Sequence, residues 1–482
     1  MKLFKKDFAF YRKVLILALP IAGQSLITVF VNMLDTIMLG KVGNFYTTVK
    51  EDAQVISSNS IAAAGNSNSF ISIYHILCMG LGMGASVLVS RYWGMKQKAN
   101  RDGNEEEEKK AEKSMKKTIA LMLRFTLGLA LIFACVAFFF PEKIHASYLD
   151  ARNENRAQII EYGVSYLKCS VPTFFFLGVS LVSTIVLRSV GSALYPLFVS
   201  IGALVVNLVG NYMLIFGHFG APRLGIEGAA IATLIARIFE CVCILIYLLI
   251  IDKKIRFRIK HVFMSCSSML WEYVRVCIPV LLSDGLLAFG NNFFAQIIGK
   301  LGYTTANNIT QVTQQLSTVG IQGVCQAGAI VTGQTLGTGD KERTKEQAWL
   351  FLGLGLVLGA ISAAIILCFN RLIISGYDVT PTDREIAATL MQAISLIIVF
   401  QATNSIMTKG VLRGGGDTLM LMIMDNIFLW AVALPLGWVA GFKLHWSPFM
   451  VYICLKSDQI FKMIWCVFRL KGGKWIKKIQ VK

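Results

Sequence analysis

The chain has 482 residues, of which 55% are hydrophobic and 16% are charged, and its mean hydropathy is +0.60. This composition excludes an ordinary soluble protein of the same length. The net charge of +19 does not indicate a nucleic-acid-binding protein. The Lys and Arg residues form no binding face or motif, and they lie in short clusters between apolar runs, as positive charges beside a membrane do.

Twelve apolar runs, each long enough to cross about 30 Å of hydrocarbon, predict twelve transmembrane helices. Lys and Arg are concentrated in alternate loops, which predicts that both termini are cytoplasmic and that the chain lies in a plasma membrane. The predicted helices span residues 14–40, 66–92, 118–140, 160–187, 193–217, 226–251, 275–299, 311–337, 347–369, 386–412, 418–441 and 446–468.

The second half of the chain repeats the first at low resolution. Pro20 opens an apolar run that closes on Gly40-Lys41-Val42-Gly43, and Pro279 opens one that closes on Gly299-Lys300-Leu301-Gly302. Both features recur after 259 residues (279 − 20 and 299 − 40). Duplicated helical bundles in a membrane are typical of transporters, whose two halves rock around a shared central site.

The repeat predicts an all-α integral membrane fold of two pseudo-symmetric six-helix bundles. The N-lobe comprises residues 1–251, with helices 1–6. A cytoplasmic linker comprises residues 252–274. The C-lobe comprises residues 275–482, with helices 7–12 and a basic C-terminal tail.

Three carboxylates inside the predicted spans are candidates for chemistry: Asp35, Asp284 and Asp425. A charged side chain in the centre of a bilayer costs roughly 3 kcal/mol, so it usually faces a cavity or a partner and marks an ion pathway. The alternative is that each lies near an interface or is held by a structural hydrogen bond.

Two amides in the fifth predicted span support a role for Asp35. Asn207 and Asn211 are about one helical turn apart, so both project from one helix face. With Asp35 they could bind Na⁺ or hold a carboxylate that takes up H⁺. Two such amides also serve as hydrogen-bonding contacts between helices, and the spacing alone does not distinguish these roles.

Other site types are not indicated. The eleven Cys are scattered, the five His are isolated, and we predict no disulfide, metal site or cofactor. His75 and His445 could face an aqueous cavity or serve in packing. The chain has no nucleophile–base pair and no phosphate-binding loop, so it is not predicted to be an enzyme.

Several stretches resemble those of MATE (multidrug and toxic compound extrusion) transporters, in the same order and across essentially the whole chain. They are Leu19-Pro20 through Asp35–Gly40, Asn207 through Ile215–Gly217, Gly228–Thr233, Leu412–Thr418 and Gly473–Ile476. The resemblance implies a V-shaped pair of bundles in a bacterial inner membrane. It implies a monomer that exports organic cations or other amphiphilic small molecules in exchange for H⁺ or Na⁺. These small molecules and membrane lipid are its expected partners.

The resemblance also implies a coupling site in the N-lobe. In one bacterial branch, an Asp of the first helix works with an Asn and an Asp of the fifth, and Asp35 and Asn207 match this pattern. Asn211 stands where the second Asp is expected, which removes one carboxylate from a possible Na⁺ site at Asp35 and Asn207. The hydroxyl of Thr233 is a further candidate ligand.

In the C-lobe, related members carry Asn-Glu where this chain has Ser283-Asp284, so Asp284 is the predicted coupling carboxylate of that lobe. Another branch has an Asp at the position of Asn404. Polar residues that we expect near the substrate cavity are Gln24, Asn32, Asn291, Asn292, Gln315, Asn404 and Asp425.

The proposed mechanism is alternating access, in which protonation of a cavity carboxylate removes the charge that attracts a cationic substrate. The alternative is a lipid-linked precursor flippase of a related fold, which needs cationic residues around its cavity. The membrane-buried charges lean acidic, with Lys168 and Arg237 as exceptions, and we expect Arg237 to pair with Glu240 on its own helix. A channel would need a continuous polar pore lining, which the sparse polar residues do not supply.

Overall fold

The computed structural model describes residues 7–43, 49–149, 155–375 and 380–477. All regular structure in these ranges is helical. The helices are α1 (Phe8–Leu39), α2 (Lys50–Asp102), α3 (Glu105–Phe139), α4 (Pro141–Tyr148), α5 (Arg156–Ser170), α6 (Thr173–Ser189), α7 (Leu194–Phe216), α8 (Ile226–Ile246), α9 (Ile259–Val262), α10 (Ser267–Lys300), α11 (Thr304–Gly337), α12 (Lys341–Ser375), α13 (Pro381–Ser405), α14 (Thr418–Asn426), α15 (Leu434–Trp438), α16 (Pro448–Leu455) and α17 (Asp458–Lys471).

Nine spans within the described ranges are long and apolar enough to cross a membrane. Three of them contain π-helical turns, at Tyr247–Ile251 in one span, at Ile406–Leu412 in a second, and at Ile427–Ala433 and Val439–Lys443 in a third. The pair α5 and α6, bent by 54°, forms a tenth span. Pro172 lies at this bend, where its missing N–H interrupts the helical hydrogen bonds.

The two remaining predicted spans differ from simple apolar helices. The region 311–337 lies in α11, which has 34 residues but is rich in Gln, Thr and Gly. The region 446–468 is divided between α16 and α17 by a break at Lys456 and Ser457. Both regions line a polar cavity in the C-lobe, so their side chains are not all directed to lipid.

The first parts of α1 and α10 are exchanged between the lobes. Phe10 of α1 packs on Phe351 of α12 with ring centroids 4.9 Å apart, inside a buried cluster of C-lobe residues. Tyr273 of α10 stacks on Phe125 of α3 with centroids 5.4 Å apart, and it belongs to a buried cluster of N-lobe residues. Each of the two repeated helices therefore packs its first part against the opposite lobe.

Prolines occupy equivalent positions in these two helices. Pro20 lies 12 residues after the first residue of α1 (20 − 8), and Pro279 lies 12 residues after that of α10 (279 − 267). A proline inside a helix removes one backbone hydrogen bond and favours a bend. Each helix thus has a point at which it can turn from one lobe toward the other.

The lobes are in close contact where the C-terminal halves of α2 and α11 cross. Ser90 and Gly94 of α2 face Gly333 and Gly337 of α11, two pairs of small residues four apart, as in tightly packed membrane helices. A methyl group on Gly94 would lie only 2.1 Å from the carbonyl oxygen of Gln334. This crossing lies beside the loops predicted to be cytoplasmic, so the lobes are closed together at that end.

Side chains reinforce this closure from both lobes. Arg188 Nη1 donates to Oε1 of Gln326 at 2.7 Å, and Nε2 of Gln334 donates to the carbonyl oxygen of Ser189 at 2.8 Å. The first bond has its donor in the N-lobe, and the second has its donor in the C-lobe. They satisfy buried polar groups that would otherwise oppose the contact.

The end of the described chain also takes part. Trp475 is fully buried and contacts Gly415, while Arg91 of the N-lobe donates to the carbonyl oxygens of Lys477 at 2.7 Å and Gly415 at 3.1 Å. Opening the lobes at this end requires the bond from Arg91 to Gly415 to break, and it requires either the bond to Lys477 to break or the tail to move with α2.

Candidate functional site

The N-lobe contains a cavity of about 430 Å³. It lies among α1, α2, α5, α6, α7 and α8, and a ligand pocket of this size is within the usual range for a drug-sized molecule. The polar and charged residues lining it include Gln24, Asn32, Asp35, Asn68, His75, Arg188, Thr233, Arg237 and Glu240.

Asp35 is part of a hydrogen-bonded network on three helices. Nδ2 of Asn211 donates to Oδ1 of Asp35 at 2.5 Å and to Oδ1 of Asn207 at 3.3 Å, and Nδ2 of Asn207 donates to Oγ1 of Thr233 at 3.3 Å. Asn207 and Asn211 are 2% and 0% exposed. The structure thus brings together the four residues predicted for N-lobe coupling, while their role in coupling stays a prediction.

Within the described ranges, Asp35 forms no ion pair. Arg237 is in the same cavity, but its Nη1 pairs with Oε2 of Glu240 at 2.8 Å, as expected from their spacing. The carboxylate of Asp35 is therefore held by neutral amides, and its charge is not matched by a fixed cation in contact with it.

The C-lobe contains a second cavity, of about 400 Å³, between α10, α11, α13, α14, α16 and α17. Amides dominate its wall, namely Asn291, Gln311, Gln314, Gln315, Gln322, Gln401, Asn404 and Gln459. Its charged residues are Lys409, Asp425, Lys456, Asp458 and Lys462. Asn291, Gln315, Asn404 and Asp425 line this cavity, whereas Asn292 is exposed and lines neither cavity, because adjacent helical residues point about 100° apart.

The carboxylates of this cavity are bound to a lysine. Nζ of Lys462 lies 2.8 Å from Oδ2 of Asp458 and 3.6 Å from Oδ1 of Asp425. Gln459 Nε2 donates to Asp458 at 2.7 Å, and Asn404 Nδ2 donates to Gln459 Oε1 at 2.9 Å. Asp425 thus contributes to a fixed charge cluster.

Asp284 is also held by a cation. Its Oδ1 lies 3.1 Å from Nη2 of Arg413, and Arg413 is 5% exposed. Asp284 is not among the residues that line the C-lobe cavity. Its geometry is that of a structural ion pair between a buried arginine and a partly buried carboxylate, and its role in coupling stays a prediction.

The expectation that the membrane-buried charges lean acidic is wrong. Arg188 and Arg413 are buried, and Lys409 lines the C-lobe cavity. The buried charges are therefore not predominantly acidic. The signal that was missed is the pair Asp458 and Lys462, whose spacing of four places them on one helix face.

The family is established by comparison with known proteins. A model of the MatE family matches residues 108–213 and 279–439, more than half of the chain. The "Uncharacterized transporter YisQ" of Bacillus subtilis is 25% identical over 95% of this chain and 94% of its own length. The "Probable multidrug resistance protein NorM" of Thermotoga maritima is 26% identical over 98% of this chain and 95% of its own length.

Solved structures show the same fold at lower identity. A MATE crystal structure in complex with MaL6 superposes with a TM-score of 0.80 at 16% identity and covers 98% of both chains. An outward-facing multidrug resistance MATE transporter of the MOP superfamily gives 0.78 at 16% identity, again over 98% of both chains. The predicted twelve-helix fold is confirmed, and the chain belongs to the MATE family of multi-pass membrane transporters, which are not enzymes.

Proposed function

We propose that this protein is a proton-coupled antiporter that exports amphiphilic small molecules, organic cations among them, with Asp35 carrying the coupling proton. The observation that carries this proposal is the environment of Asp35. It is a carboxylate beside a cavity, held by amides and not paired with a cation within the described ranges. Such a group can change its charge without breaking an ion pair, which a coupling residue must do.

The amide geometry favours H⁺ over Na⁺. A bound Na⁺ needs several oxygen atoms directed at one point. Asn211 instead directs its N–H group at Asp35, and Asn207 directs its N–H group at Thr233. A sodium site between Asp35 and Oδ1 of Asn207 would require the amide of Asn211, whose N–H group lies between them, to turn over. Uptake of a proton by the other carboxylate oxygen requires no such rearrangement.

Coupling follows if each ligand favours a different state. We infer that the structure is closed on the cytoplasmic side, with both termini cytoplasmic, because α2 and α11 cross tightly beside the loops rich in Lys and Arg. A proton taken up at Asp35 from the outer side changes the charge of the N-lobe cavity and the affinity for substrate. Exchange then results from differential affinity in the two states of a single chain, acting as a monomer.

The test is transport in proteoliposomes with an imposed pH gradient or an imposed Na⁺ gradient, using ethidium as the probe. We expect transport driven by the pH gradient alone, and its loss in Asp35→Asn, a variant of nearly the same shape. Asp52→Asn is the matched control, because Asp52 is an exposed carboxylate in the first turn of α2.

Three results would contradict the proposal. Transport driven only by the Na⁺ gradient would show that the coupling ion is Na⁺ and not H⁺. Full pH-driven transport by Asp35→Asn would move coupling elsewhere. An equal loss in Asp52→Asn would indicate a general effect of removing acidic residues. Thermal unfolding of the purified variants separates each of these results from a folding defect.

A flippase for lipid-linked precursors is the second candidate, and one observation favours it. Three lysines, Lys409, Lys456 and Lys462, line the C-lobe cavity, as expected for a site that accepts a phosphorylated headgroup. Translocation of a fluorescent pyrophosphate lipid across proteoliposomes without any gradient would support this function. Gradient-dependent export of ethidium, sensitive to Asp35→Asn, would exclude it as the main activity.

A further inference from the structure

The C-lobe cavity has lysines without a partner of opposite charge in contact. Lys409 and Lys456 both line it, and the side chain of neither has a hydrogen bond or an ion pair among the residues that the structure describes. Nζ of Lys456 lies 4.4 Å from the centroid of the Phe294 ring, a cation–π contact that leaves its N–H groups available. Each side chain is partly exposed, so these ammonium groups are accessible from the cavity.

The other charged residues in the cavity and beside it do not compensate for them. Asp284 is bound by Arg413, and Asp425 and Asp458 are bound by Lys462. Lys409 acts on Asp284 and Asp425 only through space, and Lys456 acts on Asp458 in the same way. Four cations thus stand against three carboxylates: Lys409, Arg413, Lys456 and Lys462 against Asp284, Asp425 and Asp458, which leaves one positive charge in excess.

An excess charge inside a membrane protein is costly unless a counterion neutralises it. The cavity has room for one, since its volume is about 400 Å³. Gln311, Gln315 and Gln322 also line it and form no side-chain hydrogen bonds among the described residues. Amides of this kind bind the polar parts of a ligand without adding charge.

We propose that the C-lobe cavity binds small amphiphilic molecules that bear an acidic group, either organic acids or zwitterions, with Lys456 and Lys409 contacting the acid. This inference rests on the proposed export function, and it adds molecules with a carboxylate or phosphate group to the organic cations already proposed as substrates. The N-lobe carboxylate and the C-lobe lysines then have separate tasks: coupling at Asp35 and recognition of the acid in the C-lobe.

The test uses two dyes with the same ring system. Rhodamine 110 carries a free carboxylate, and in rhodamine 123 the same group is a methyl ester. Binding to the purified full chain in nanodiscs is measured by fluorescence anisotropy, with empty nanodiscs subtracted. We expect rhodamine 110 to bind more tightly than rhodamine 123. We also expect Lys456→Gln and Lys409→Gln each to raise the dissociation constant of rhodamine 110 by about tenfold.

The controls separate charge from structure. Lys443→Gln removes an exposed lysine outside the cavity and is expected to change neither dye. Lys456→Arg keeps the charge and is expected to retain most of the binding of rhodamine 110. Tighter binding of rhodamine 123 to the wild type would overturn the inference, as would equal losses for both dyes in Lys456→Gln when thermal unfolding is unchanged.

The source of the acid is distinguished by the lipid. If phosphatidylglycerol in the nanodisc displaces rhodamine 110 and phosphatidylcholine alone does not, the natural acidic group is a lipid headgroup. If neither lipid displaces the dye, it is a water-soluble acid. Binding of rhodamine 110 that depends on Lys456, without gradient-driven transport of any dye, would refute the antiporter and leave this inference standing. Gradient-driven ethidium transport without tighter binding of rhodamine 110 would support the antiporter and refute this inference.

Discussion

The two lobes contain cavities of similar size, about 430 and 400 Å³, but they differ in whether a cation binds the carboxylates. In the N-lobe, Asp35 is held by Asn211 and forms no ion pair within the described residues. In the C-lobe, Asp425 and Asp458 share Lys462. A carboxylate that no cation holds can change its charge without breaking an ion pair, so we expect coupling at Asp35 and a structural role for Asp425 and Asp458.

The largest effect is expected from pairing the N-lobe carboxylate with a lysine, as the C-lobe carboxylates are paired. Asn211→Lys places an ammonium group where an amide now donates to Asp35. The resulting ion pair should hold the carboxylate in its charged form, and gradient-driven transport should fall on the order of a hundredfold. Initial rates of ethidium transport measure this. If Asn211→Lys transports normally while folded, the distinction between the two lobes has no bearing on coupling.

The next largest effect is on stability and concerns the C-lobe. Lys462→Met leaves Asp425 and Asp458 buried without the lysine that binds both. Breaking such a cluster should cost roughly 3–5 kcal/mol of folding free energy and lower the unfolding temperature. Asp35→Asn, by contrast, should leave the unfolding temperature nearly unchanged. Equal stability of Lys462→Met and the wild type would argue against a structural cluster.

A paired substitution tests the prediction that Asp284 is a coupling residue. Arg413→Met alone leaves the partly buried carboxylate of Asp284 without its cation and should cost about 3 kcal/mol of folding free energy. The double variant Asp284→Asn with Arg413→Met removes both charges and should recover most of this loss. Thermal unfolding measures the recovery. If the double variant folds but no longer couples transport to the pH gradient, Asp284 is required for coupling.

The smallest effect is expected at the edge of the N-lobe network. Thr233→Val keeps the shape of the side chain but removes the hydroxyl that accepts from Asn207 at 3.3 Å. Loss of one neutral hydrogen bond is worth about 1 kcal/mol, so transport should slow only a fewfold. Thr389→Val, at an exposed hydroxyl in α13, is the control for the substitution itself. A complete loss in Thr233→Val would make the hydroxyl a direct ligand of the coupling ion.

The fold could be predicted because hydrophobic length determines which segments cross a membrane. The limits appear where polar side chains face a cavity: α11 and the broken pair α16 and α17 do not have simple apolar composition. Composition averaged over a segment cannot distinguish a helix that faces lipid on every side from one that faces a cavity on one side.

The N-lobe site was predictable for a different reason. Asn207 and Asn211 are one turn apart, which fixes them on one face, and the family resemblance linked that face to Asp35 and Thr233. Nothing local predicted that Lys409 and Arg413 are inside the protein. The turns at Ile406–Leu412 are π-helical, with more residues in each turn than an α-helix, and this change alters the direction of every later side chain.

The exchange of α1 and α10 between the lobes has a consequence for how the chain can be divided. A break in the linker before α10, between residues 252 and 266, would produce two half-chains, and each would lack a helix segment that completes its own hydrophobic cluster. Phe10 would be severed from Phe351, and Tyr273 from Phe125. Neither fragment should be stable when synthesised alone, and the two should restore each other when made in the same cell. The duplicated halves therefore no longer fold as independent units.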